Sequence, residues 1–561
     1  MALDNEVGAG LAPAHLAPAQ GSDRPSVNSG ETKGSPLLIE KIPINQPKGD
    51  SQVAAVAGQP RRVALNSGLL FAANVLSTGT SLVVISLIAR YLGQSGLGRY
   101  GYVISFLEMF IGFSEMGLSR ILVREIARER ERTEEHLGSA LSLRLLLSGL
   151  VLAAVLIGAT ASAPDRELWL AIQVYCLGQI LFLLGELANS VFRAHQRMEF
   201  QLAVVAVAQL LILVLTVLAV YFRLGLLALF VVTLLANGVR LLVAARFLGR
   251  HFTSLRLSTD GRLMRHTLRE SVPVGISLLL RRYIWRGGVL LLVAWKGELA
   301  AGLLYGPLRV VEQMRIVPMS LVGSILPLLS GQARRAEKAF SNTYEKAFKL
   351  FALFSLFLAV TLTFLARPIV VLLLGPDLAE AAGVLQLLGW AVLLTFPNLL
   401  FGTVLIAQGR QTLETAGLAV GLAAGFLAAR WLIPIHGALG VCYAILIAEG
   451  IFFLIGAFAA GRPLASRRVL IPVGKIALAA ALTGVLFHVG REISIFLIGP
   501  LGAALFVVLL ILSRALTPDE AIALAAFLPV SLRRRLHLPD TAETISRDFA
   551  KSASSRRTNK T

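Results

Sequence analysis

Fourteen apolar segments, each about as long as a bilayer is thick, follow one another along this 561-residue chain. A membrane-spanning α-helix needs about 20 apolar residues, because each residue adds about 1.5 Å across a hydrocarbon layer of about 30 Å. The segments lie at residues 64–89, 98–118, 139–162, 168–192, 199–222, 225–248, 271–295, 299–325, 347–374, 381–407, 412–433, 437–460, 469–489 and 493–513. The pattern predicts an all-α polytopic membrane protein. A hydrophobic fraction of 56% and a mean hydropathy of +0.73 exclude an ordinary soluble chain.

The formal charge of +20 raises the question of nucleic-acid binding, but its distribution argues against that class. Loops after odd-numbered segments carry few basic residues, whereas loops after even-numbered segments carry many. The latter include Arg120, Arg124, Arg128, Arg130, Arg132, Arg193, Arg197, Arg250, Arg256, Arg262, Arg265, Arg334, Arg335, Lys338, Arg410, Arg462, Arg467 and Arg468. This alternation follows the positive-inside rule. It predicts a plasma-membrane protein with both termini in the cytoplasm and no nucleic-acid partner.

Segments seven and eight carry charges at the depth of the bilayer midplane, where a charge costs about 3 kcal/mol on insertion scales. The charged side chains are those of Arg281, Arg282, Arg286, Arg309, Arg315 and Glu312. Such a set predicts a wet, protein-walled cavity rather than a lipid-facing surface. Five arginines against one glutamate leave four positive charges without a carboxylate in these two segments.

Two interpretations of these arginines remain open. In the first they bind an anion such as a diphosphate, which the planar guanidinium fork suits, while Glu312 orients an arginine or carries a coupling proton. Arg144 in segment three either completes this substrate-binding set or extends to the interface. In the second interpretation the arginines hold the bundle together by pairing with carboxylates of other segments. The candidate partners are Glu108, Glu115, Glu186 and Glu449.

The ends of the chain differ in composition from the segments between them. Residues 1–60 are rich in Ala, Gly, Pro and Ser and predict a disordered cytoplasmic tail. Residues 514–561 predict a second cytoplasmic tail, with an amphipathic surface helix at 518–538. Residues 119–136 alternate apolar and charged positions at helical spacing, which fits either a helix lying in the membrane interface or a charged linker.

Sites for covalent or metal chemistry are not indicated. Cys176 and Cys442 each lie inside an apolar run, so neither a disulfide framework nor a thiolate metal site is expected. His195 and His436 lack a second ligand at metal spacing and are expected to be structural. We therefore predict no catalytic residues, no metal and no cofactor.

Several short motifs occur in an ordered series from about Arg61 to Arg462. They are IARYLG at 88–93, GRY at 98–100, EMGLS at 115–119, REIA at 124–127, FRAHQR at 192–197 and AQGR at 407–410. The series resembles the polysaccharide flippases of the multidrug/oligosaccharidyl-lipid/polysaccharide (MOP) exporter superfamily. One departure is Arg286-Gly287-Gly288, where such proteins often have Asp-Arg; this puts a cation site built on that aspartate in doubt.

The resemblance implies two six-helix lobes, at 61–250 and 251–462, around a central cavity, followed by two further helices at 463–513. The Arg- and Gln-bearing hinges before segments five and eleven support such a duplication. The implied function is to move a polyprenyl-diphosphate-linked oligosaccharide across the bacterial inner membrane for polysaccharide biosynthesis. Membrane lipids, a polysaccharide polymerase and glycosyltransferases are the implied partners. A drug exporter of the same superfamily is the alternative; a membrane glycosyltransferase or polymerase fits less well, because the outer loops are short.

Overall fold

The computed structural model describes residues 49–163, 165–253, 256–258, 260–332, 337–460 and 466–515. Within them the chain forms fifteen α-helices and two 3-10 turns, and no strand occurs in these ranges. The helices are α1 Gly49–Glu115, α2 Leu118–Arg128, α3 Thr133–Ser162, α4 Arg166–Ala194, α5 Met198–Tyr221, α6 Gly225–His251, α7 Gly261–Met314, α8 Ile316–Gln332, α9 Glu337–Phe364, α10 Ala366–Leu374, α11 Ala382–Ala407, α12 Gln411–His436, α13 Ala438–Ala459, α14 Arg467–Val489 and α15 Ile495–Leu512.

Two helical stretches are too long to cross a membrane once. The stretches Gly68–Arg128 and Gly261–Gln332 contain 61 and 72 residues, about three times what a bilayer needs. Each folds back at one non-helical glycine, Gly93 with φ 65° in α1 and Gly297 with φ 83° in α7. A left-handed φ suits glycine because it lacks a Cβ. Twelve stretches of the described chain are long and apolar enough to span, and with two of them crossing twice the predicted fold class is confirmed.

The helices pack in two groups. In the first, α4 packs against α3, α5 and α6; in the second, α11 and α13 pack against each other and against α7, while α12 lies on α13. We call these groups the N-lobe and the C-lobe. The last two helices are outside both lobes, since α14 packs on α9 and on α15.

The amphipathic stretch after residue 118 forms α2, whose apolar side chains face the protein. Leu118, Ile121, Leu122 and Ile126 are buried, and α2 packs on α3, α4 and α7. The predicted amphipathic helix is present. However, its apolar face lies against protein, where the interfacial interpretation had placed lipid.

The backbone repeats itself between the lobes. At the hinge after α4 the amide of Arg197 donates to the carbonyl of Phe192, and at the hinge after α11 the amide of Arg410 donates to the carbonyl of Leu405. Both are the six-to-one bond of a Schellman motif, with Gln196 or Gly409 in the left-handed region. Three further pairs are separated by one common sequence distance: Gly93 and Gly297, Gly98 and Gly302, Glu108 and Glu312.

A proline interrupts the long helical stretch Gly261–Gln332 of the C-lobe. Residue Pro318 has no N–H for the carbonyl of Met314, and the helix is interrupted between Met314 and Ile316. In contrast, α7 remains helical at Pro273 and Pro307.

The two adjacent glycines of α7 differ in their surroundings. A Cβ on Gly288 would lie 2.3 Å from a side-chain atom of Val441, so close packing explains that glycine. Nothing lies within 4 Å of a Cβ placed on Gly287.

The two predicted tails fall almost entirely outside the described residues, as do the surface helix at 518–538 and the basic residues at 334–335. Residues 1–56 form a separate unit, of which the structure describes only the backbone at the start of α1. That helix begins at Gly49, upstream of the predicted boundary at residue 61.

Candidate functional site

The central charges of the fold are carried by the two arms of α7, before and after Gly297. The first arm bears Arg281, Arg282 and Arg286, and the second bears Arg309 and Glu312. Arg315 lies in the break before α8, at the end of the helix rather than within it. The fold therefore brings together all six charged residues that the sequence placed at the midplane.

Arg282 joins the two lobes. Its Nη1 lies 2.8 Å from a carboxylate oxygen of Glu108, and its Nη2 lies 3.1 Å from one of Glu115. Both glutamates belong to the second arm of α1, two helical turns apart, so one guanidinium holds this arm against α7. The side chains of Arg282 and Glu108 are each 24% exposed, and that of Glu115 is 34% exposed. This inter-lobe cluster can therefore be reached by solvent.

Glu312 holds two arginines of its own lobe. Its Oε2 accepts from Arg286 at 2.6 Å and from Arg309 at 3.0 Å. Arg286 is buried and lies 5.7 Å from the ring centre of Tyr305, whereas the Arg309 side chain is 30% exposed. The two guanidinium groups therefore share one carboxylate oxygen of Glu312. Of the two predicted roles of Glu312, the contacts correspond to orienting the arginines.

A third pair joins α7 to α12. Arg281 Nη2 is 3.4 Å from Glu414 Oε1 of α12, and the guanidinium also lies 5.5 Å from the ring centre of Phe452. Glu414 is buried, and the Nη1 atom of Arg281 has no hydrogen-bond partner.

Two of the candidate arginines have no carboxylate within 4 Å among the residues that the structure describes. Arg315 lies 5.8 Å from the ring centre of Trp285, a cation–π distance. Arg144 is fully buried and donates to Ser119 Oγ at 3.2 Å, which leaves its Nε and Nη1 without partners. Because it is buried, Arg144 does not extend to the interface.

Most of these contacts correspond to the pairing interpretation, with partners that the sequence identified only in part. Glu108 and Glu115 bind an arginine of α7 as that interpretation expected. Glu186 instead pairs with Arg193 and Arg240 inside the N-lobe. Glu414 was missed, although its position four residues after the motif at 407–410 could have drawn attention to it.

The lobes meet tightly at the end of the bundle that carries the turns at Gly93 and Gly297, which we call the hairpin end. A Cβ on Gly98 would lie 1.9 Å from the carbonyl oxygen of Glu298, and one on Gly302 would lie 1.9 Å from that of Gln94. Arg99 adds ion pairs to Asp165, Glu167 and Glu298. Below them the rings of Tyr100 and Tyr305 meet edge to face at 5.9 Å. The central charges are therefore separated from the hairpin end by packed backbone and aromatic rings.

The remaining candidates are the two cysteines and the histidines. Both cysteines are buried and free. His195 contacts the Phe252 ring at 5.1 Å, and burial together with the charge of Arg130 lowers the pKa of its imidazole. The described residues contain no group of three or more potential metal ligands.

Comparisons with known proteins place this arrangement in a family context. Residues 63–332 match the family described as "Polysaccharide biosynthesis protein". The solved structure of the lipid II flippase MurJ in an inward closed conformation matches with a TM-score of 0.65 at 14% identity, covering 80% of this chain and 99% of MurJ. The chain has the fold of the MOP exporters. The resemblance carried by its motifs is thus confirmed.

Multidrug transporters share the same fold. DinF-BH of the MATE family matches with a TM-score of 0.57 at 16% identity, over 75% of this chain and 97% of that protein. An inward-facing MATE transporter of the MOP superfamily matches with a TM-score of 0.55 at 14% identity, over 71% and 96%. No curated protein sequence matched the chain. At these identities the structural matches establish the fold alone.

Proposed function

We propose that the protein is a flippase that moves a polyprenyl-diphosphate-linked oligosaccharide from the cytoplasmic to the outer leaflet of the bacterial inner membrane. The observation that carries this proposal is the inter-lobe cluster of Arg282, Glu108 and Glu115. Because this solvent-accessible arginine contacts both lobes, an anionic head group that binds it can act on both lobes at once. The polysaccharide family match and the fold shared with a lipid II flippase support the substrate class.

The cluster suggests how the substrate acts. In this structure two carboxylates of α1 occupy the fork of Arg282, and a diphosphate offers oxygens of the same geometry with more charge. An entering diphosphate displaces Glu108 and Glu115 and so releases α1 from α7. Arg309, whose side chain is 30% exposed, supplies a second contact. Binding thereby loosens the contact between the lobes, as alternating access requires.

Orientation follows from the positive-inside rule. The loops at the hairpin end are poor in arginine and lysine, whereas the opposite end carries α2 and the basic loops. The hairpin end is therefore extracytoplasmic, and in this conformation the protein is closed to the outside. A polymerase and glycosyltransferases would act on the same substrate before and after this step.

Export in a strain that lacks the native gene tests the proposal. Arg282→Gln should abolish glycan export and leave lipid-linked oligosaccharide accumulated on the cytoplasmic side. Because the change leaves two carboxylates without a partner, the folded amount should be restored by also changing Glu108 and Glu115 to Gln, while export stays absent. Arg282→Lys should retain only part of the glycan export, since lysine keeps the positive charge but lacks the planar guanidinium fork. Restored export in the triple variant would refute anion recognition by Arg282.

The drug-exporter alternative is favoured by the MATE matches. A cationic drug needs carboxylates that are free of arginine, and four of the central glutamates, Glu108, Glu115, Glu312 and Glu414, are bound to arginines. Loss of drug resistance in the deletion strain, with glycan export unchanged, would support that alternative.

A further inference from the structure

Arg144 of α3 carries a buried charge that the clusters described above do not compensate. The residue is 0% exposed, and its one side-chain hydrogen bond among the described residues joins Nη2 to Ser119 Oγ at 3.2 Å. Its Nε and Nη1 atoms have no partner. An uncompensated buried charge is strongly destabilising, so Arg144 favours any conformation in which a carboxylate reaches these two atoms.

The guanidinium lies beside residues 115–118, which we call the α1–α2 corner. One turn along α3 from Arg144, Ser148 Oγ lies 2.6 Å from Ser114 Oγ, and Ser119 lies in the first turn of α2. Glu115 directly follows Ser114, so its side chain begins close to Arg144. The first turn of α2 has no side-chain cap, and its unpaired N–H groups also favour a carboxylate here.

The charges around Arg144 leave Glu115 as the carboxylate that can change partner. The two carboxylates whose charge acts on Arg144 are those of Glu115 and Glu186. Glu186 is bound by Arg193 and Arg240 within the N-lobe. The partner of Glu115 belongs instead to the other lobe and also holds a second carboxylate, so it remains paired if Glu115 leaves.

We propose that Arg144 is a positioning residue that binds Glu115 when the lobes separate at their cytoplasmic end. In this structure the Glu115 carboxylate lies 3.1 Å from Nη2 of Arg282 and its side chain is 34% exposed. Opening of this end moves α7 away from the α1–α2 corner, and the carboxylate turns to the free N–H groups of Arg144. One ion pair breaks as another forms, and no proton is transferred. The open state thereby avoids an unpaired carboxylate.

The exchange gives the proposed transport cycle a second partner for the displaced carboxylate. A diphosphate that displaces Glu115 from Arg282 leaves that carboxylate unpaired unless Arg144 binds it. Arg144 therefore acts on the substrate through Glu115 and not by direct contact, which its complete burial prevents. This link rests on the proposed function, whereas the exchange itself requires no substrate.

A buried thiol at the cytoplasmic end measures this opening in the purified full-length protein without substrate. Ser271 of α7 is 0% exposed, and a Cβ on Gly117 would lie 3.1 Å from its carbonyl oxygen. The position therefore lies against the α1–α2 corner, across the contact between the lobes. The maleimide labelling rate of Ser271→Cys, in a background whose two native cysteines are replaced by serine, reports how often this end opens.

The expected result is that Arg144 affects opening only when Glu115 is present. Arg144→Met should slow labelling by at least about tenfold, because opening then leaves Glu115 without a partner. With Glu115→Gln in the background, the same change should alter the rate by less than about twofold.

Two further variants control the measurement. Arg144→Lys keeps the charge but lacks the fork, so it should give an intermediate rate, and its difference from the parent should again disappear with Glu115→Gln. This variant keeps the test valid if Arg144→Met does not fold. Ser148→Ala is the matched control, because it removes a hydroxyl one turn away on α3 and should act equally in both Glu115 backgrounds.

Three results would overturn the proposal. Arg144→Met could leave the rate unchanged, it could slow labelling equally in both Glu115 backgrounds, or the rate could follow added chloride at constant ionic strength whether or not Glu115 is present. If the rates behave as expected while glycan export is unaffected by deleting the gene, the exchange stands and the proposed substrate is wrong. If they do not, while Arg282→Gln still abolishes export, the exchange is wrong and the proposed function stands.

Discussion

Replacing Gly98 by alanine should open the hairpin end. The added Cβ would lie 1.9 Å from the carbonyl oxygen of Glu298, whereas an ordinary carbon–oxygen contact is about 3.3–3.6 Å. The two arms must therefore separate by more than about 1 Å. The obstructing atom belongs to the backbone of a packed helix, so no side chain can rotate away to relieve the clash.

The size of the effect follows from that rigidity. Overpacking typically costs about 1–3 kcal/mol, and a backbone obstruction belongs at the upper end of that range. Since every 1.4 kcal/mol is a factor of ten, about 3 kcal/mol shifts the balance between hairpin-closed and hairpin-open states about a hundredfold. Alanine is more favourable than glycine inside a helix by up to about 1 kcal/mol, so without the clash the same substitution would stabilise the protein.

Cysteine labelling of the purified protein measures this balance. Ala301→Cys places a thiol at a fully buried position of α7, in a background whose two native cysteines are replaced by serine. Gly98→Ala and Gly302→Ala should each raise the maleimide labelling rate of this thiol by about a hundredfold. Gly287→Ala is the matched control, because nothing lies within 4 Å of its Cβ position, and it should leave the rate unchanged. Equal rates for Gly98→Ala and the control would show that glycine packing does not close this end.

Three further predictions concern topology, the N-terminal tail and the buried ion pair. In intact cells, an impermeant reagent should label a cysteine at Glu298 and miss one at Ser341; labelling at Ser341 would invert the assigned orientation. Deleting residues 1–48 should leave export intact at normal protein abundance, because that composition has too few apolar residues to pack on the membrane unit, and lost export by a normally abundant truncation would contradict this. Arg286→Gln should lower the folded amount in detergent by the equivalent of at most about 3–5 kcal/mol, because Glu312 loses its buried guanidinium partner and keeps only Arg309. Adding Glu312→Gln should restore the folded amount, and failure to do so would argue against pairing as the cause.

The fold was predictable because segment length and loop charge respond to the bilayer itself. Fourteen crossings and the position of the central arginines followed from those two signals. The form of the turns did not follow from these signals. The chain reverses at a single glycine in α1 and at another in α7, where hydropathy had placed longer loops. The boundary at residue 61 differed for a related reason, since alanine-rich composition is compatible with both a tail and the start of a helix.

Pairing at the site could be predicted only in part. The sequence shows that arginines outnumber glutamates in segments seven and eight, but not which other helices approach them. Glu414 lies 133 residues from Arg281 and Glu449 lies 164 residues from Trp285, so only the tertiary packing brings them near α7. The break at Arg315 was missed because Pro318 can either bend a helix or interrupt it, and the packing determines which occurs.

Glu108 and Glu312 occupy equivalent positions of the two halves, yet the two halves contribute unequally to the central charges. Each half has a glutamate at this equivalent position, yet both Glu108 and Glu312 pair with arginines of α7. At the positions of α1 equivalent to Arg282 and Arg286 the N-lobe has Thr78 and Leu82, which carry no charge. In the proposed mechanism, one half thus carries the arginines that bind the diphosphate, and the other supplies the carboxylates that the diphosphate displaces. In that mechanism, an exchange of the two halves in an engineered chain would keep the architecture and lose the response to substrate.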